Sequence, residues 1–138
     1  MILLDTNIIS ALMLDRPAAV VAEWLNHQPT LSVYTTSITV FEIRFGLEIM
    51  PSGRRFAQRL SSFERILTNV IEDRIVPFDT AAAERAAEIA AQRHRIGRPG
   101  ELRDTMIAGI VLANHATLAT RNVRHFEDIA KHVVNPWE

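Results

Sequence analysis

Asp5, Glu42, Asp104 and Asn122 are oxygen-bearing side chains in places where a bland reading is incomplete. Asp5 directly follows the apolar run Ile2-Leu3-Leu4, and a carboxylate just past a buried strand sits at the rim of a binding crevice. The same position also suits an Asx-turn or a helix cap made by Asp5, Thr6 or Asn7. Glu42 lies on or beside the stripe Ile38, Phe41, Phe45, Ile49. An unpaired carboxylate on a core-facing stripe costs roughly several kcal/mol, so Glu42 needs an arginine or a cation. Asp104 starts the stripe continued by Ile107, Ala108 and Val111, although a first-turn Asp also caps free N–H groups and suits the helix dipole. Asn122 follows the strand-like Thr117-Leu118-Ala119, in Thr120-Arg121-Asn122, where an Asn is most often a turn or cap residue. Carboxylates gathered at one edge repel one another and hold their protons unless a cation joins them. Hard oxygen donors suit Mg²⁺ or Mn²⁺. Spacing alone does not bring positions 5, 42, 104 and 122 together.

The elements that must position them alternate along the chain. Ile2–Leu4 predicts a strand, followed by a helix over about 8–15 and another over about 17–27, with Pro17 in its first turn. Leu31 to Thr36 is strand-like, and Ser37 is the expected cap of a helix to about Met50. Pro51-Ser52-Gly53 breaks that helix. Phe56, Leu60, Phe63 and Leu67 then mark the apolar face of the next, which reads as core or as a partner-binding face. A strand over 75–78 leads through Asp79 or Thr80 into a helix to about Arg95. Seven alanines between positions 81 and 91 permit close backbone packing there. Gly97-Arg98-Pro99-Gly100 is a loop, 102–114 a helix, and 116–120 and 133–134 the last strands. Strands alternating with helices give an α/β domain with a central, largely parallel sheet. Binding residues then lie just after the strands, at Asp5, Ser37, Asp79 and Thr120.

Composition narrows the chemistry. The 138 residues fit one domain spanning 1–138, and the 48% hydrophobic content supports a real core. There is no cysteine, which excludes disulfides, thiolate metal sites and a cysteine nucleophile. The N-terminal residues have neither a basic segment nor a long apolar run, so a cytoplasmic protein with no membrane span is expected. The net charge of −1 offers no global field to attract nucleic acid. Yet 14 of the 15 basic residues are arginine, which suits bidentate phosphate contacts.

Four segments in order resemble the VapC-type PIN-domain toxins, and most nearly their FitB-like members. They are Met1-Ile2-Leu3-Leu4-Asp5-Thr6-Asn7-Ile8-Ile9-Ser10; Ser37-Ile38-Thr39-Val40-Phe41-Glu42-Ile43-Arg44-Phe45-Gly46; Arg103-Asp104-Thr105-Met106-Ile107-Ala108; and Leu118-Ala119-Thr120-Arg121-Asn122-Val123-Arg124-His125-Phe126. The chain closes on Asn135-Pro136-Trp137, so the resemblance covers essentially its full length. It implies a PIN-domain α/β/α sandwich and a metal-dependent endoribonuclease, the toxin of a type II toxin–antitoxin system. Asp5, Glu42 and Asp104 would then hold Mg²⁺ or Mn²⁺, with Thr6 and Thr120 in support. Asn122 would be a fourth catalytic position where the family often has an acid, and the amide removes one negative charge. Arg44, Arg103 and Arg121 stand beside the acid motifs as candidate RNA-backbone contacts. The resemblance further implies a cognate antitoxin that blocks the site, homodimers, and promoter DNA bound only through the antitoxin.

Two other readings compete. A phosphatase with a nucleophilic Asp5 would need a second acid two residues on, where this chain has Asn7. A catalytically weak PIN-like regulatory subunit, acting with an antitoxin on promoter DNA, would tolerate Asn122 and the near-neutral charge.

Overall fold

A computed structural model describes residues 1–138. Five short strands form one sheet: β1 (Ile2–Leu4), β2 (Val33–Thr36), β3 (Ile75–Val76), β4 (Thr117–Ala119) and β5 (Val133–Val134). Their order is β3-β2-β1-β4-β5, and every pairing is parallel. The chain builds outward from β1 to one edge, then returns to the other side of β1. That reversal makes the crevice between β1 and β4 the place where such a sheet binds ligands.

Alternation along β1 and β4 divides the interior. Leu3 and Leu118 face one core, which includes Ala82, Ile89, Ile107, Ile110 and Phe126. Leu4 and Ala119 face the other, with Ile8, Val21, Ile43, Phe63 and Ile71. The first core is covered by α5 (Thr80–Arg95) and α6 (Leu102–Ala113), the second by α1 (Thr6–Leu12), α2 (Ala19–Asn26), α3 (Ser37–Glu48) and α4 (Arg54–Arg65). Helices on both faces of a parallel sheet give the expected α/β/α sandwich. No buried side-chain nitrogen or oxygen lacks a hydrogen-bond partner. No helix is long and apolar enough to cross a membrane.

Several local expectations are corrected. Helix α1 starts at Thr6 because Asp5 itself caps it, and α2 starts beyond Pro17, at Ala19. Thr36, not Ser37, caps α3 by accepting from the Thr39 N–H; the Ser37 hydroxyl accepts from the Phe78 N–H instead. The core face of α3 is Thr39, Ile43 and Leu47, whereas Phe41, Phe45 and Ile49 are exposed. The helix from Arg54 continues into a π-helical turn, Ile66–Ile71. Phe63 on its stripe is fully buried, and Phe56, Leu60 and Leu67 pack against the same core, so this stripe is core.

Candidate active site

Asp5 is set by two elements at once. Its backbone N–H extends the sheet by donating to Ala119 O at 3.0 Å, and its Oδ1 accepts the Thr6 N–H at 2.9 Å, capping α1. The other oxygen, Oδ2, accepts the Thr120 hydroxyl at 2.7 Å and the Asn7 amide at 3.3 Å. Asp5 is 4% exposed. Burial pushes its pKa above the ordinary carboxylate range, against the pull of these hydrogen bonds and of His125. One oxygen thus makes the helix cap, and the other meets Thr120 and Asn7 beyond the end of β4.

Glu42 enters from the middle of α3. The Thr6 hydroxyl donates to its Oε1 at 3.0 Å, and Arg103 Nη1 lies 3.9 Å from its Oε2. Its pKa is raised by partial burial first, then by the neighbouring Asp5 and Asp104 charges; Thr6 and Arg103 oppose the rise. Asp104 sits in the first turn of α6, but Glu101 performs the capping by accepting the Asp104 N–H at 3.1 Å. The Asp104 side chain is thereby left to face the crevice, where Oδ2 lies 3.0 Å from His125 Nδ1. Burial is the main cause of its raised pKa, with His125 opposing and Asp5 adding to it.

The three carboxylates thus share one electrostatic field. They do not yet converge on a single point at metal-ligand distance. Each is turned onto a protein partner instead: Asp5 onto Thr120, Glu42 onto Thr6, Asp104 onto His125.

Thr6 and Thr120 both meet the acids directly. Asn122 reaches the site through its backbone, whose N–H donates to Thr120 Oγ1 at 3.1 Å; its side chain is exposed and makes no hydrogen bond to the acids. Arg44 and Arg121 are turned elsewhere. The Arg44 guanidinium lies over the Phe63 ring at 5.3 Å, and that of Arg121 over Trp137 at 4.8 Å. Of the three arginines beside the acid motifs, only Arg103 approaches a carboxylate.

Two residues were missed by spacing alone. Asn7 looked like a turn residue, yet it bridges Asp5, Thr120 and the Arg121 N–H. His125 lies on the irregular segment Val123–His132, where no periodicity flags a site residue. That segment is anchored by Arg93, which is buried and donates to both Asp128 oxygens at 2.7 and 2.9 Å, to Thr105 Oγ1 and to the His125 carbonyl.

Comparison with known proteins agrees with this fold. The PIN domain family profile matches residues 2–132. The chain is 38% identical to the plasmid stability protein StbB of Pseudomonas syringae pv. tomato, over all of this chain and 99% of that protein. It is 36% identical to the VapC ribonuclease Y4jK of Sinorhizobium fredii, with the same coverage. The solved structure of FitAB bound to an IR36 DNA fragment contains a chain 32% identical to this one, with a TM-score of 0.85 over 100% of this chain and 96% of that one. The chain belongs to the PIN domain family, as one of its VapC-type members.

Proposed function

We propose that this chain is the toxin of a type II toxin–antitoxin pair: a single PIN domain, acting in the cytoplasm, that hydrolyses RNA phosphodiester bonds with a divalent metal ion. The observation that carries the reading is the set of three mutually repelling carboxylates, Asp5, Glu42 and Asp104, at the carboxyl edge of the sheet. Burial is the first cause of each raised pKa, and neighbouring acids add to the rise at Glu42 and Asp104. Arg103 is the one cation near Glu42, and at 3.9 Å it compensates only in part.

The donor set fits Mg²⁺ or Mn²⁺, since all the candidate ligands are hard oxygens. Asp5, Glu42 and Asp104 would hold the ion, which when bound supplies a water of lowered pKa and charge stabilisation at the phosphate. The neutral Asn122 favours one ion over two. Asp5 is held by Thr120 and Asn7 and serves to fix position. Glu42 and Asp104 are more open than Asp5, and one of them would orient or deprotonate the attacking water. As the water oxygen bonds to phosphorus, the leaving oxygen departs with the electron pair of the broken P–O bond.

The resemblance to VapC-type toxins implies an antitoxin that covers the acids, homodimers, and promoter DNA reached only through that partner; the likeness to a chain of FitAB solved on a DNA fragment supports such a DNA-bound assembly. The test is incubation of the free protein with total RNA and Mg²⁺ or Mn²⁺, beside Asp5→Ala and an EDTA control. Cleavage that requires both the metal and Asp5 supports the reading. Identical behaviour of the folded wild type and Asp5→Ala on every RNA, with no metal-induced stabilisation of either, overturns it. The regulatory-subunit reading, favoured by the uncharged Asn122, would then take its place.

A further inference from the structure

A cleft of about 360 Å³ opens beside Asp104, between the loop at 97–100 and the segment Val123–His132. Ile96 is its only apolar lining residue; apart from Gly100 the others carry ionisable side chains. Most of its acids are already committed. Asp128 is held by Arg93 at 2.7 Å, Glu101 by Arg103 at 3.2 Å, and Asp104 faces His125. Two exposed cations in the lining, Arg98 and Arg124, form no ion pair, and only the single acid Glu127 stands against them.

The backbone holds Arg98 in place. Its N–H donates to Arg93 O at 2.8 Å, and Gly97 and Gly100, both at positive φ (73° and 70°), turn the loop on either side of Arg98-Pro99. Arg93 anchors both this loop and, through His125 O and Asp128, the segment that carries Arg124.

A phosphate-bearing strand approaching three carboxylates meets repulsion, and the chain's net charge of −1 provides no general attraction to overcome it. Local cations beside the acids are what such a strand requires. Resting on the ribonuclease reading, we propose that this cleft is an RNA subsite in which Arg98 and Arg124 bind a backbone phosphate neighbouring the one that is hydrolysed.

The test compares the wild type, the double variant Arg98→Ala/Arg124→Ala and the double variant Arg98→Lys/Arg124→Lys. Binding of a short, labelled oligoribonucleotide of mixed sequence is followed by anisotropy in EDTA, and its cleavage in Mg²⁺, across a salt series. The alanine pair is expected to weaken binding about tenfold and to flatten the salt slope by about 0.7, for the one single-strand phosphate no longer neutralised. The loss should fall on KM rather than kcat, and the lysine pair should recover most of it. Thermal unfolding unchanged from the wild type confirms that the alanine pair is folded. Wild-type cleavage with KM and salt slope unchanged in the alanine pair overturns the subsite alone and leaves the cleft to an acidic segment of a protein partner. No binding and no cleavage by the wild type itself overturns the ribonuclease reading and this subsite with it.

Discussion

The Asn7 amide nitrogen lies 3.1 Å from the hydroxyl oxygen of Thr120, joining the start of α1 to the end of β4 across 113 residues of sequence. The Thr120 hydroxyl in turn donates a hydrogen bond to Asp5 Oδ2, and Asn7 Oδ1 accepts the Arg121 N–H. One side chain therefore ties together Asp5 and the loop that carries Asn122. Asn7→Ala should leave that loop untethered. We expect a fall in ribonuclease activity of about 10–100-fold, as for loss of an outer partner of a metal ligand. The stability cost should be about 1–3 kcal/mol. Paired cleavage assays and urea denaturation measure the two; activity within twofold of wild type would show that Asn7 is structural only.

Glu42→Gln tests the electrostatic strain directly. A carboxyl whose pKa is raised on folding holds its proton more tightly in the native state than in the unfolded chain. Its contribution to stability is therefore most favourable at low pH, and is lost as pH rises through the folded pKa. As pH rises through that folded pKa, without metal, the penalty from burial and from Asp5 and Asp104 develops. The amide keeps a hydrogen bond to Thr6 and removes the charge. In EDTA near neutral pH the variant should melt higher than the wild type, and the difference should vanish near about pH 4, where the unfolded carboxyl also protonates. A variant melting lower than wild type at neutral pH would contradict a repulsive cluster.

Metal should reverse that order. An ion that binds the native state at 100 times its Kd stabilises by about 2.7 kcal/mol. Titration with Mg²⁺ or Mn²⁺, followed by calorimetry, should raise the melting temperature of the wild type more than that of Glu42→Gln or Asp104→Asn. Equal shifts in all three would place the ion elsewhere.

The sandwich was legible because its signals are local and repeated. Apolar strands are short and separated by helical periods, and the loop at Gly97–Gly100 is punctuated by glycine and proline. The three acids were legible as residues that their own elements did not fully explain. The face of α3 was not legible, because that helix carries apolar residues on two sides. Phe41, Phe45 and Ile49 repeat as regularly as Thr39, Ile43 and Leu47, and only packing against α1 and the sheet selects the second set. Likewise, Ser37 and Thr36 are equally good caps in sequence. The choice follows from Thr36 adopting the extended conformation at the strand end, while Ser37 is drawn to Phe78. His125 and Asn7 gain their roles from contacts 21 and 113 residues away, 125 − 104 for the first, which no local pattern encodes.

Arg93 is the buried cation that fixes the His125 segment. Its pKa is raised and that of Asp128 lowered, both chiefly by their mutual hydrogen bonds. Arg93→Ala removes that pairing and leaves Thr105 and the His125 carbonyl without their donor. Loss of one partner of a fully buried pair costs about 3–5 kcal/mol. The Asp128 side chain is 33% exposed and can turn to water, so about 2–4 kcal/mol is expected in urea denaturation. Arg93→Lys should recover only part, since one ammonium cannot reproduce the fork.

Gly109 sits where α6 crosses α5, and α6 presents Asp104. A Cβ at this position would meet the carbonyl oxygen of Ala82 and stand 2.7 Å from the Ala86 Cβ. Alanine is the better helix former by about 1 kcal/mol. An exposed site would therefore gain from the substitution. Here the first obstacle is backbone, which cannot swing aside, so the two helices must separate. Overpacking of this kind costs about 1–3 kcal/mol. Gly109→Ala should be destabilising on balance in urea denaturation and should lower cleavage, because the displaced α6 carries Asp104 away from Asp5 and Glu42. Adding Ala86→Gly removes only the side-chain half of the clash, so it should restore little. A stabilised Gly109→Ala protein would show that α5 and α6 are packed less closely than this geometry requires.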